Sequence, residues 1–171
     1  EKQRAEEERR TEEMSGIIER LETITASQEL LAQQSQQILR RYPPPPQSQQ
    51  ASVRYSAQVM RRLTRLAEPA SKQQQSVRQE TKSVHDGIAA QRDTLRELLT
   101  RAYGDTGRLP ATEIDPIVDL LAETVDAQEQ TLVNLAPKAV NLPRANTALH
   151  TAAGRMRQAL DALRGLQPPK T

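Results

Sequence analysis

With 171 residues and a formal net charge of +2, the chain has room for one ordinary domain and no bulk charge that would draw it to nucleic acid. It has no Phe, no Trp, no Cys and three tyrosines (Tyr42, Tyr55, Tyr103), which excludes an aromatic core, disulfides and thiolate metal sites. What remains is Leu, Ala, Val and Ile thinned by Gln and Arg, the composition of long helices that meet along narrow seams.

Residues 1–40 open with EKQRAEEERRTEE, nearly all charged, with Glu6 placed to meet Arg9 and Arg10 one helical turn on. No apolar stripe runs through it, so it reads as a solvated helical extension. Apolar periodicity then begins at Met14 and continues through Ile17, Leu21, Ile24, Leu31 and Ile38, interrupted by Gln28 and Ser35. Ile18, Ala32 and Leu39 widen that stripe, which suits contact with two helices more than with one.

Residues 41–50 (RYPPPPQSQQ) end the helix. Four prolines remove four backbone donors and favour the polyproline II conformation, giving a linker able to span about 30 Å. Tyr42-Pro43-Pro44-Pro45-Pro46 also resembles the aromatic-plus-proline ligands of EVH1-type grooves, and more loosely SH3 and profilin ligands. A spacer is the simpler reading.

Residues 51–103 carry the most regular pattern of the chain. Met60, Leu63, Ala67, Ala70, Gln74, Val77, Thr81, Val84, Ile88, Gln91, Leu95, Leu98 and Ala102 alternate steps of three and four. A seam repeating every 3.5 residues keeps facing its partners only if helices supercoil. At about 1.5 Å per residue it is roughly 65 Å long, which predicts partner helices of similar length, from this chain or from others. Pro69 falls inside it with the register unchanged on both sides, so a kinked helix is predicted there.

Residues 104–111 read as a turn, with Gly104, Gly107 and Pro110 close together. Residues 112–166 form a C-terminal coiled-coil segment, a hairpin or a kinked helix. Its seam runs through Ile114, Val118, Leu121, Val125, Gln128, Leu132 and Leu135, then on through Leu149, Met156, Leu160 and Leu163. Pro137 and Pro143 divide it, and Asn141 is placed to cap a fresh helix with Pro143 in its first turn. Residues 167–171 are a tail.

The predicted fold is therefore all-α: an extended coiled coil or long-helix bundle of three to four helices with a polyproline linker. Polar residues at seam positions (Gln28, Ser35, Gln74, Thr81, Gln91, Gln128, Asn146) can fix register by pairing with one another, or can sit hydrated at a seam edge. Charge is segregated: Glu113 to Glu129 holds six acids and no base, a run expected to lie beside a basic helix face. Arg54, Arg61, Arg62 and Arg65 fall at outward positions and define an alternative site for an acidic polymer such as nucleic acid or a microtubule.

No catalytic residue, metal ligand or cofactor site is expected. His85 and His150 stand at seam margins without a second histidine or a Glu-x-x-His partner, and no glycine-rich phosphate loop occurs. No window of eighteen apolar residues occurs and no signal peptide is visible, so no membrane insertion is expected. The setting predicted is intracellular, cytoplasmic or nuclear. The first residue is Glu1, not Met, which points to a piece of a longer protein. The seams look too long and thin for one chain to satisfy alone. The function expected is thus that of a non-enzymatic assembly subunit, whose partners are other coiled-coil subunits in a hetero- or homo-oligomer; a nucleic-acid partner is not favoured.

Overall fold

The computed structural model describes residues 1–44, 55–94, 97, 114–137 and 139–166, apart from the side chains of residues 3, 7, 10 and 11. The protein is all-α among these residues. Its four long helices are α1 (Lys2–Arg41), α2 (Ala57–Ala90), α3 (Ile114–Asn134) and α4 (Leu142–Gly165).

Each boundary has a local cause. α2 starts where Ser56 accepts a hydrogen bond from the Val59 N–H at 3.3 Å, a side-chain cap for an otherwise unpartnered donor. It continues through Pro69 without a break, as the unbroken register predicts, and its buried face continues from Leu63 and Ala67 to Val77, Val84 and Ile88. It is interrupted after Ala90, and most of the expected continuation to Tyr103 lies outside the described residues. Gln91, the polar residue of the seam at that point, is exposed, and Arg92–Thr94 are helical again beyond it. Leu95, Leu98 and Ala102, the turn at 104–111, and Pro45 and Pro46 lie outside the described residues.

α3 and α4 are separate helices. The Asn141 side chain accepts from the Arg144 N–H at 3.2 Å, Pro143 lies in the first turn, and the Asn141 N–H donates to the Asn134 carbonyl at 2.8 Å to close the connection.

The helices pack side by side in a ring, α1 against α2, α2 against α3, α3 against α4 and α4 against α1. Every neighbouring pair is antiparallel. Arg20 meets Ser83 and Gln28 meets Gln74; Arg78 meets Glu129 and Arg92 meets Asp115; Glu22 meets Arg164 and Glu29 meets Arg157. In each set one number rises as the other falls.

Most seam residues are buried within this one chain: Met14, Leu21, Ile24, Leu31, Leu63, Val77, Val84, Ile88, Val118, Leu121, Leu135, Leu149, Met156, Leu160 and Leu163. Ile17, Ile38, Met60, Val125 and Leu132 are half-buried. The expectation that a single chain could not hide these ridges is corrected here. Four helices of one chain share the seams among themselves. α1 fills its part with a stripe broad enough for two neighbours, since Ile18 and Ala32 are buried beside it. Burying each such Leu, Ile or Met contributes about 1.5–3 kcal/mol.

The packing is not uniform. α4 presents Ala145, Ala152 and Ala159 with no exposed surface, and such small side chains let neighbouring helix axes approach closely. The α3–α4 and α1–α4 contacts are accordingly the most extensive, and the α1–α2 contact is the least. The apolar interior falls into two parts. The larger runs from Met14 to Ala32 on α1 across to the C-terminal half of α4; the smaller gathers Leu63, Ala67, Leu135, Val140, Leu142 and Ala145 at the other end.

Candidate functional site: a glutamine layer and a cleft between two cores

Between the helices the seam polars meet. Gln28 Nε2 donates to Gln74 Oε1 at 2.9 Å, and Gln74 Nε2 donates back to Gln28 Oε1 at 2.8 Å. Gln128 Nε2 reaches across from α3 to Gln28 Oε1 at 3.1 Å and to Thr81 Oγ at 3.0 Å. Thr81 in turn donates to the Val77 carbonyl at 2.7 Å. All four side chains are fully buried, so the layer ties α1, α2 and α3 together in one register. Gln128 Oε1 is buried without a hydrogen-bond partner, a local cost of about 1–3 kcal/mol.

A second polar contact joins α1 to α4. Ser35 Oγ donates to Asn146 Oδ1 at 3.1 Å, and Asn146 Nδ2 donates to Gln36 Oε1 at 3.0 Å. Of the seven polar seam residues, Gln28, Gln74, Thr81, Gln128, Ser35 and Asn146 thus pair across helices, whereas Gln91 faces water. The pairing reading holds for six and the hydrated reading for one. Sequence reasoning passed over Thr25, Thr124 and Thr131, which are also buried, each bonded to the carbonyl four residues back. It also passed over the Ala145-Ala152-Ala159 stripe, although its heptad spacing was a visible signal.

The α1–α2 gap widens toward the end where the smaller core lies. A half-open cleft of about 440 Å³ sits there, with Leu31, Ile38, Leu63, Leu66, Ala70 and Leu149 among its walls. Gln34, Ser35, Gln37 and Gln73 are its polar lining. A shallower depression bounded by Gln37, Ile38, Arg41 and Leu66 continues it outward.

Three acids of the run on α3 pair with arginines of neighbouring helices or of the segment beyond α2, in keeping with the expected basic face. Arg78 pairs with Glu129 at 3.0 Å, Arg92 with Asp115 at 3.2 Å and Arg155 with Glu123 at 3.2 Å. On the α1–α4 side, Arg157 forks onto Glu29, with Nε donating to Oε2 at 3.2 Å and Nη2 to Oε1. That hydrogen bond holds the Arg157 guanidinium above its ordinary pKa. At the other end burial raises the pKa of the Tyr55 phenol, whose Oη donates to the Tyr42 carbonyl at 3.0 Å.

Arg61, Arg62 and Arg65 are exposed, as their outward positions implied, and Arg54 lies outside the described residues. His85 is half-buried with Nδ1 3.0 Å from Asp86 Oδ1, and His150 is exposed, on the rim of a surface hollow. Among the described residues no group of three or more His, Asp or Glu could hold a metal, and no helix is long and apolar enough to cross a membrane.

The class these features define is an all-α protein of helical-bundle-like build. Set against protein-family models, curated proteins and solved structures, the chain matches none.

Proposed function

We propose that the chain is a non-enzymatic structural module of a larger assembly, a coiled-coil-like bundle that keeps its seams for itself and meets partner helices through its outer surfaces. An intracellular setting belongs to the same proposal. The observation that carries it is the mismatch in helix length. α1 has 40 residues against 21 in α3, and every described side chain from Glu1 to Glu13 is exposed. That stretch spans about 20 Å. A helix polar on all sides, held by exposed pairs such as Arg9–Glu13 at 3.9 Å, suits a bridge between bodies better than a part of one core.

The test is the sedimentation mass of the chain, purified and in extract from its native source. The purified chain is expected to be a monomer, and the chain in extract to travel in a heavier complex. Deleting residues 1–13 should release it from that complex with its melting temperature unchanged. A chain that remains monomeric in the extract ends the reading.

One observation favours a second reading, attachment to an acidic polymer. Arg61, Arg62 and Arg65 are exposed and make no ion pair among the described residues. Polymer binding through them would weaken steeply with added salt, whereas apolar assembly would not.

A further inference from the structure

The cleft between α1 and α2 combines three properties that the assembly reading does not use. Its walls are apolar, and at about 440 Å³ its volume falls within the range of small-molecule sites. Its floor residues Leu31, Leu63, Leu142 and Leu149 are each only 2–4 % exposed. The apolar surface the cleft leaves open is instead that of Leu66, 38 % exposed, and of the half-buried Ile38 and Ala70, a strip along which an extended alkyl chain can lie.

The third property is charge. Between Glu29 and Glu68 the sequence contains six arginines and no acid, and between Glu129 and Asp161 four bases and no acid. The antiparallel packing brings the C-terminus of α1 and the N-termini of α2 and α4 to one end of the molecule. Arg40, Arg41, Arg61, Arg62, Arg65 and Arg144 are therefore gathered there, all exposed and without an ion pair among the described residues. Two of them stand near the cleft. Arg41 bounds the depression that shares Gln37, Ile38 and Leu66 with the cleft. Arg62 lies one turn before Leu66 on the α2 face that carries Leu66, Pro69 and Gln73.

We propose that this cleft binds a long-chain carboxylate, with the alkyl chain lying over Ile38, Leu66 and Ala70 and the carboxylate held between Arg41 and Arg62. The guanidinium fork matches a carboxylate in geometry as well as charge, and no neighbouring acid competes for it. The site stands apart from the all-polar start of α1 on which the assembly reading rests.

The experiment is calorimetric titration of the full chain with laurate below its micellar concentration, alongside octanoate and dodecyltrimethylammonium. One laurate per chain is expected, with octanoate on the order of a hundredfold weaker for its four missing methylenes. Dodecyltrimethylammonium has the same tail and the opposite head, and it should bind at least about tenfold more weakly than laurate, one charge-assisted contact's worth. Arg41→Ala with Arg62→Ala changes only exposed side chains and should erase that preference. Ala70→Phe fills the cleft and should abolish laurate binding, with helicity retained by circular dichroism.

Equal binding of the two twelve-carbon probes overturns the proposal, as does laurate binding that survives Ala70→Phe in a folded protein. Failure to bind laurate together with sedimentation on anionic phospholipid vesicles also overturns it, and assigns the arginines to a membrane surface instead.

Discussion

The amides of Gln28 and Gln74 exchange two hydrogen bonds, at 2.9 and 2.8 Å, in a part of the molecule that water does not reach. Each amide satisfies the other, so the cost of losing one falls on its partner. Gln28→Leu or Gln74→Leu alone is expected to destabilise the protein by about 1–3 kcal/mol, because a buried amide is left unpaired. The double substitution should recover a large part of that loss, with Gln128 keeping Thr81 as its remaining partner. Urea denaturation of the four proteins gives the coupling directly; strictly additive losses would show that the pair does not act as a unit.

Leu21 has no exposed surface, whereas Leu30, on the same helix, is 48 % exposed. Leu21→Ala should cost about 2–5 kcal/mol through lost transfer energy and the cavity it leaves. Leu30→Ala should stay within about 0.5 kcal/mol. The contrast tests whether the seam is closed by the chain itself, since it must persist at protein concentrations too low for self-association.

Pro69 lies inside α2 on its exposed side, where it withholds one backbone hydrogen bond. A proline in a helix interior costs about 3 kcal/mol, while its stiffening of the unfolded chain returns at most about 1. The first effect is larger, so Pro69→Ala should raise stability by about 2 kcal/mol and increase the melting temperature. No increase would mean that α2 is already shaped around the proline.

Burial raises the Tyr55 phenol pKa above 10, and its hydroxyl holds the Tyr42 carbonyl across the mouth of the connection between α1 and α2. A group with a raised folded-state pKa contributes stability that is intact below its unfolded value and lost as pH climbs through the folded one. Melting temperature should therefore be insensitive to this group up to pH 10 and fall above it. Tyr55→Phe should be less stable near neutrality and show a smaller alkaline decline, measured by melts at pH 9 and 11.

Much of the layout was legible because it rests on local chemistry. Asn141 with Pro143 marks a helix start by spacing alone, and the Asn141 side chain caps the Arg144 N–H. The polar seam residues carried a testable pairing, and most of them pair. Which helices would hide the ridges was not legible. Seam length gave the wrong guide, because burial depended on a second alanine stripe on α4 that brings it against two helices at once. The interruption of α2 at Gln91 was hidden for a related reason: heptad phase carries on through that residue, and the chain is helical again at Arg92–Thr94. The cleft could not be foreseen, since it arises from the looser α1–α2 approach and belongs to no single stretch of sequence.

The antiparallel alternation of four helices also sets the direction in which the molecule can be presented. α4 finishes beside Glu22 of α1, at the end of the molecule from which the start of α1 projects, opposite the arginine-rich pole. A surface attached at the start of α1 therefore grips the far side, and an immobilised molecule points its arginine-rich pole outward into solution.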